Sequence, residues 1–102
     1  MTEKHSSYYE AIIQLRPATN EMLRYIKNKL KQRPSVFISK TEQHGDALDI
    51  YLSSQRYAQT IGRGLKKSFK GDLKFSRQLY TQNKMTSKRV YRLTVLFRLN
   101  KN

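Results

Sequence analysis

Residues 79–99, "LYTQNKMTSKRVYRLTVLFRL", combine two different sequence patterns. The second half alternates apolar and polar side chains, as a strand with one buried face does. The first half has no apolar pattern and carries Lys84, Lys88 and Arg89. The alternation predicts a final strand at about residues 88–99. The predicted inner face consists of Tyr91, Leu93, Val95, Phe97 and Leu99.

The net charge of the chain indicates what kind of partner it has. The chain has 102 residues, with 21 Lys and Arg against 7 Asp and Glu, for a net charge of +14. This length predicts one domain, with the core at about residues 8–99. Self-repulsion of this size favours a polyanionic partner, of which nucleic acid is the commonest and an anionic membrane the second.

The sequence contains no Cys, which excludes disulfides and thiolate metal sites. Its two histidines, His5 and His44, do not make a usual zinc site without carboxylates. No apolar run is long enough to span a bilayer, and the N-terminus lacks an apolar signal core. These features predict a cytoplasmic protein without a metal or cofactor.

Apolar periodicity gives the remaining elements. Strands are predicted at 8–16, 35–40, 47–53, 72–81 and 88–99, and helices at 19–32 and 54–70. In the first strand, Tyr9 is expected to share the inner face with Ala11, and Glu10 to lie on the outer face. Thr19 and either Ser53 or Ser54 are candidate helix N-caps. A turn is predicted at 41–46, and a hairpin loop at 82–88.

Each predicted helix has one apolar stripe and follows a strand. The first stripe contains Met22, Leu23, Ile26 and Leu30. The second contains Tyr57, Ala58, Ile61, Leu65 and Phe69, and Gly71 is expected to end that helix. The order β-α-β-β-α-β-β predicts an α+β, two-layer sandwich with both helices on one face of a mixed sheet.

Three basic surfaces are candidates for RNA binding. The first is the polar face of the second helix, with Arg56, Arg63, Lys66, Lys67 and Lys70. The second is the hairpin with Lys84, Lys88 and Arg89, and the third is the open sheet face with Arg92 and Arg98. Cations projecting together from a helix suit a row of phosphates. The alternatives are a solvated helix face, an ordinary exposed hairpin, and cross-strand pairs that close a polar sheet.

Two glycines and several tyrosines also bear on the candidate RNA-binding surfaces. Gly62 and Gly64 weaken the second helix, and either helix packing or close approach of a phosphate explains them equally well. On the open face, aromatic residues such as Tyr8, Tyr51 and Tyr80 would suit base stacking, although cross-strand pairing is favoured for Tyr8 and Tyr51.

Catalytic patterns are missing from the sequence. Asp46 and Asp49 are three positions apart on a strand, so they point to opposite faces and form no acid/base dyad. "GRGLKK" (62–67) does not match a phosphate-binding loop. The chain is therefore predicted not to be an enzyme and to have no small-molecule substrate.

Three segments together resemble a known family. They are "YYEAIIQLR" (8–16), "ALDIYLSSQRYAQTIGRGL" (47–65) and "FSRQLYTQNKMTSKRVYRLTVLFRL" (75–99). In this order and spacing they resemble the middle region of the large-ribosomal-subunit export adaptor, nonsense-mediated mRNA decay protein three, and are most similar to its archaeal type. The resemblance implies a small α+β module, similar to a ribosomal protein of the L-twenty-two type, that contacts ribosomal RNA on the large subunit.

The sequence departs from the family pattern in two respects. The paired-Cys zinc region and the barrel module of the family are not found in it. The chain is thus expected to be an excised domain or a stand-alone relative, and nuclear export is not carried over to it.

The first hypothesis is a monomeric RNA-binding module that associates with the large ribosomal subunit. The alternative is a protein-interaction module that uses an exposed sheet edge, Tyr residues, and the apolar Ile12 and Leu96 of the outer face. A membrane-surface role is disfavoured, because the basic helix face has no aromatic anchor beside it.

Overall fold

The computed structural model describes residues 8–83 and 88–100, with residues 79–83 and 88–90 described by their backbone alone. The elements follow the predicted order. They are β1 (Ala11–Arg16), α1 (Asn20–Lys31), β2 (Ile38–His44), β3 (Ala47–Leu52), α2 (Gln55–Ser68), β4 (Gly71–Asn83) and β5 (Lys88–Leu99). The predicted α+β class with two helices and one mixed sheet is confirmed.

The five strands lie in the order β2-β3-β1-β5-β4. The first strand in sequence is therefore the middle strand of the sheet. β1 pairs with β3 in antiparallel and with β5 in parallel orientation, and Ile13 lies opposite both Ile50 and Val95. Alternate residues of β1 are fully buried, so this strand supplies the centre of the core.

Both helices cover the same face of the sheet. Their apolar stripes join the inner faces of β1, β3 and β5 in one cluster. The cluster contains Ala11, Ile13, Leu15, Met22, Ile26, Ile50, Leu52, Tyr57, Ala58, Ile61, Leu65, Leu93, Val95 and Phe97. The helical layer and the open face of the sheet are thus opposite surfaces of the domain.

Hydroxyl caps fix the start of each helix. Thr19 Oγ1 accepts a hydrogen bond from the Met22 backbone N–H at 3.2 Å, as predicted for α1. Of the two candidates for α2, Ser54 is the N-cap, and its Oγ accepts from the Tyr57 N–H at 3.1 Å. Ser53 is instead buried, and its Oγ accepts from the Phe37 N–H at 3.0 Å.

Helix packing accounts for Gly62. A Cβ placed there would lie 2.7 Å from Val95 Cγ1 and 3.2 Å from Leu73 Cδ1. These distances are too short for ordinary contact, so the glycine lets α2 lie close to β4 and β5. The sequence left helix packing and close approach of a phosphate as explanations for this glycine, and the structure supports helix packing.

The predicted faces of Tyr9 and Glu10 are wrong. The chain bends at Glu10, and β1 begins only at Ala11. Glu10 Oε1 accepts a hydrogen bond from the Gln55 N–H at 3.0 Å, on the helical side. Tyr9 packs edge to face against Tyr51, with ring centroids 4.8 Å apart. Because the carboxylate binds the start of α2, the strand alternation does not extend back to these residues.

The hairpin between β2 and β3 is longer than predicted. β2 continues through His44, which pairs with Ala47, and the turn is reduced to Gly45 and Asp46. Gly45 has φ 62°, a left-handed conformation that glycine adopts without steric cost. β2 is an edge strand with mostly exposed residues, so its sequence shows no alternation.

Gly71 does not end the second helix. Phe69 is the C-cap of α2 in an extended conformation, and Gly71 is the first residue of β4. A Cβ at Gly71 would lie 2.4 Å from the Arg98 carbonyl oxygen. The glycine is therefore needed for close approach of the two strands.

Several apolar residues near the sheet edges are partly exposed. Phe75 lies opposite the buried Val95 but is 38% exposed, and Tyr91, which was predicted to lie on the inner face of β5, is 36% exposed. Ile38 of β2 is 40% exposed, whereas Val36 packs against the core. None of the described helices is long and apolar enough to cross a membrane.

Candidate nucleic-acid interface

The polar face of α2 carries the first group of predicted residues. Arg56, Arg63, Lys66 and Lys67 are exposed along the helix, and exposed Lys70 follows it. The opposite side of the helix is buried from Tyr57 to Leu65. Because 3.6 residues make one turn, burial of one side directs these cations to solvent together.

Three adjoining clefts run along α2. The central cleft, of 470 Å³, lies between α1 and α2 and shares Thr60 with a second cleft of 280 Å³. It shares Lys66, Lys67 and Ser68 with a third of 440 Å³ at the end of the helix. We call the three together the basic groove. Its cationic lining residues are Lys29, Arg33, Arg56, Arg63, Lys66, Lys67 and Lys70.

Sequence reasoning missed the contribution of α1 to this groove. Lys29 lines the central cleft, and Arg33, just beyond the helix, lines the second. These two residues are four positions apart, so they share one side of the helical turn. That spacing was visible in the sequence, but the contact between α1 and α2 that makes it relevant was not.

Several groove cations are held in place by neighbouring groups. Lys66 Nζ donates to the Gly71 carbonyl at 2.8 Å. Arg63 Nη2 donates to Gln59 Oε1 at 3.2 Å, and its guanidinium lies 5.7 Å from the Phe75 ring centroid. These contacts position the stems but leave most of the donors of each cation for another acceptor.

No acidic residue is among the lining residues of the three clefts. The ion pairs found between described side chains all lie elsewhere, on the open face of the sheet. The positive charge of the groove therefore persists without internal neutralisation, which favours an anionic ligand.

The N-terminus of α2 is not a free anion site. Ser54 accepts from the Tyr57 N–H, and Glu10 supplies a carboxylate to the Gln55 N–H. The hydroxyl of Tyr8 also donates to Glu10, and this hydrogen bond raises the pKa of Tyr8. The positive end of the helix dipole is thus already matched by a charge of this chain.

The open sheet face carries a row of aromatic rings and cations. The Arg92 guanidinium lies 3.9 Å from the Tyr9 ring centroid, and Lys40 Nζ lies 4.6 Å from the Tyr51 ring centroid. Arg92 Nε also donates to the Tyr9 carbonyl at 3.2 Å. Each of these rings has a cation of the same chain within 4.6 Å of its centroid, close enough to occupy the ring face, so the row resembles cross-strand pairing more than a free stacking platform.

Acidic groups accompany the cations on this face. Asp49 is 7% exposed and lies 2.9 Å from Arg16 Nη1 and 3.7 Å from His44 Nε2. Lys40 lies 3.3 Å from Glu42, which also accepts from the Tyr51 hydroxyl at 2.9 Å. Hydrogen bonds from Tyr51 and Lys40 lower the pKa of Glu42.

Glu42, His44 and Asp49 are close enough to share a cation, because their ligand atoms all lie within 4.8 Å of one another. Both carboxylates already bind Arg16 or Lys40. A metal ion would have to displace or repel these cations, so the arrangement is better suited to a network of ion pairs.

The structure divides the predicted site residues between two surfaces. Arg56, Arg63, Lys66, Lys67 and Lys70 lie in the basic groove. Arg92 and the exposed Arg98 lie on the opposite face, where Arg98 is opposite Arg16 in β1 and Asp72 in β4.

The predicted hairpin residues are described only in part. Lys84 lies outside the described residues, and Lys88 and Arg89 are described only as the backbone start of β5.

The fold and the groove together define a basic two-layer α+β domain with a surface suited to a polyanion. The comparison with family models then identifies it further. A family model described as "NMD3, second domain" matches residues 8–99, and the chain belongs to this family. The resemblance noted in the sequence is thereby confirmed. No curated protein matches the chain.

Family membership relates the chain to proteins that act on the ribosome. The family is the export adaptor of the large ribosomal subunit, and its members associate with that subunit. The chain is therefore a domain of a ribosome-associated family.

Proposed function

We propose that the chain binds ribosomal RNA of the large subunit through the basic groove. The observation that supports this most is the lining of the groove, which has seven cations and no acidic residue. RNA carries a phosphate at every nucleotide, and Lys and Arg that neutralise phosphates release condensed counterions. The net charge of +14 supports the same proposal.

In this proposal, the cations of the groove act by holding the RNA backbone in a defined position. Arg56, Arg63 and Lys67 are seven and four positions apart on α2, so the rise of an α-helix separates them by roughly 10 Å and 6 Å along its axis. Lys29 and Arg33 add charge from α1 on the other side of the groove. The two helices thus present cations to both sides of a bound backbone, which fixes its orientation without reading bases.

We include four further features in this proposal. The chain acts by binding and not by catalysis, it needs no cofactor, it works in the cytoplasm, and it binds as a monomer. Each is consistent with the sequence, which shows no catalytic constellation and no Cys.

The test compares two variants with equal loss of charge. In the groove variant, Arg63→Gln and Lys67→Gln remove two cations; in the control, Lys74→Gln and Arg98→Gln remove two from the open sheet face. Binding to purified large and small ribosomal subunits is measured across a salt titration. The wild type is expected to prefer large subunits.

Counterion release gives the expected size of the effect. Each lost phosphate contact lowers the slope of log affinity against log salt by about 0.7 to 0.9. The slope of the groove variant should be smaller by about 1.5. Between 1 M and 0.1 M salt its affinity should therefore rise about 30-fold less than that of the wild type. The control should change the slope much less. Equal losses in both variants would reject the groove as the RNA site, and equal binding of the wild type to both subunits would reject selectivity for the large subunit.

One observation favours a second candidate, which is a protein-interaction module. Both β2 and β4 are edge strands, and at the start of β2 the side chains of Phe37 and Ile38 are 39% and 40% exposed. Exposed edges with apolar side chains are templates for strand pairing. Concentration-dependent mass in light scattering, with little dependence on salt, would support this candidate over RNA binding.

A further inference from the structure

An aromatic wall distinguishes the central cleft from the rest of the basic groove. Tyr25 of α1 lines this cleft together with Leu73 of β4. The Tyr25 hydroxyl is neutral at physiological pH, because the ordinary pKa of tyrosine is about 10 and burial raises the pKa of Tyr25 further. The cleft therefore combines a flat, uncharged ring with the cations Lys29, Arg63 and Lys67.

The orientation of this ring is fixed by its neighbours. Phe69 meets it edge to face, with centroids 6.3 Å apart and planes at 86°. On α2, Gly64 leaves the space that the phenol end fills, because a Cβ there would lie 1.7 Å from the Tyr25 hydroxyl oxygen. A glycine in a helix interior is less stable than an alanine, so the close fit of Tyr25 is obtained at the expense of helix stability. A ring held in this way is ordered before any ligand arrives.

Polar groups surround the ring on the open side. Lys29 Nζ lies 5.7 Å from its centroid, and the hydroxyls of Thr60 and Ser68 also line the cleft. A volume of 470 Å³ is within the range of pockets that hold small organic ligands. The fitting ligand is anionic at one end and flat at the other.

We propose that the central cleft holds a single unpaired nucleotide of the bound RNA, with its base against Tyr25 and its phosphate among Lys29, Arg63 and Lys67. The inference rests on the proposed RNA-binding function and adds selectivity to it. Bases within a duplex are already stacked, whereas a bulged or looped base has a free face to place on an aromatic ring. The chain would then favour RNA with an extruded nucleotide over a regular duplex.

A direct test uses the mononucleotide alone. The amide and Tyr25 ring resonances of the isotope-labelled full chain are followed by NMR during titration with AMP and, in parallel, with ribose 5-phosphate. The two ligands share the phosphate and sugar and differ in the base. AMP is expected to bind at least about fivefold more tightly and to shift the resonances of Gly64 and Tyr25, because one base on an aromatic ring contributes that much. Equal affinities would overturn the base contact.

A second test uses RNA itself. The wild type is titrated with a perfect RNA duplex and with the same duplex carrying one bulged adenosine. Preference for the bulged duplex is expected to be about tenfold, and to be lost in Tyr25→Leu. Tyr8→Leu is the matched control, because Tyr8 is 53% exposed and lies outside the groove.

The outcomes separate this inference from the function on which it rests. If the wild type binds both duplexes equally, the nucleotide pocket is wrong while phosphate binding stands. If it binds neither, the proposed function itself fails. Should Tyr25→Leu prove unfolded by circular dichroism, Gly64→Ala replaces it, since the added methyl displaces the same ring. A bulge preference that persists in the folded variant overturns the role of Tyr25.

Discussion

Gly64→Ala should change the sign of its effect on stability according to the residue at position 25. In a free helix interior, Gly→Ala stabilises by about 1 kcal/mol. Here the new Cβ would lie 1.7 Å from the Tyr25 hydroxyl oxygen and 2.8 Å from Cζ, so the ring has to leave its position. Overpacking of this kind costs typically 1–3 kcal/mol. In the wild-type background we therefore expect a net loss of roughly 0–2 kcal/mol.

In a Tyr25→Ala background the obstacle is gone. The same substitution should then give the full helix gain of about 1 kcal/mol. The coupling between the two positions is the difference, about 1–3 kcal/mol, which is the range found for residues in direct contact. A change of 1 kcal/mol corresponds to roughly 4–8 °C in Tm for a domain of this size.

Urea unfolding of the wild type, both single variants and the double variant measures this coupling. The midpoints should shift while the m-values stay constant, which shows that the native state and not the denatured state is affected. Gly64→Thr would be unsuitable, because β-branching adds its own helix cost. If Gly64→Ala has the same effect on stability in both backgrounds, then Gly64 is not needed to make room for Tyr25. The argument that the Tyr25 ring is ordered before a ligand binds would then be refuted.

Two further predictions concern other parts of the domain. Burial and the hydrogen bond to Glu42 raise the pKa of Tyr51 from 10.0 to about 12, so the folded state favours the protonated hydroxyl. The Tm of the wild type should therefore fall more steeply between pH 10 and pH 12 than the Tm of Tyr51→Phe. Parallel curves of Tm against pH for the two proteins would contradict this. Glu10→Ala removes the carboxylate that accepts from the Gln55 N–H and should lower the free energy of unfolding by about 1 kcal/mol, measured by urea denaturation, whereas an unchanged midpoint would show that this carboxylate does not stabilise α2.

Elements with one buried face were predictable from the sequence. The alternation from Leu93 to Leu99 placed β5, and the stripes of α1 and α2 placed both helices with their hydroxyl caps. Their order then made both helices on one face of the sheet the simplest packing. The sequence predictions were wrong where a strand has no buried face and therefore no apolar alternation, as in the exposed edge strand β2 (Ile38–His44). They were also wrong where a polar contact interrupts the alternation, as at Glu10.

The candidate site shows the same division. Helical spacing alone was enough to place Arg56, Arg63 and Lys67 on one exposed face, because the 3.6-residue period is a local property of the chain. Local patterns do not say which helix faces which, so Lys29 and Arg33 became part of the groove only through the packing of α1 against α2.

The order of the elements, most of their buried faces and the excess of positive charge follow from local patterns in the sequence. Tertiary packing was needed to show that β1 (Ala11–Arg16) is the central strand, and that Lys29 and Arg33 line the groove beside α2. It also decided that Tyr25 is seated against Gly64. These are relations between residues distant in the chain, which are set by the close packing of one shared core and not by any local preference of the backbone.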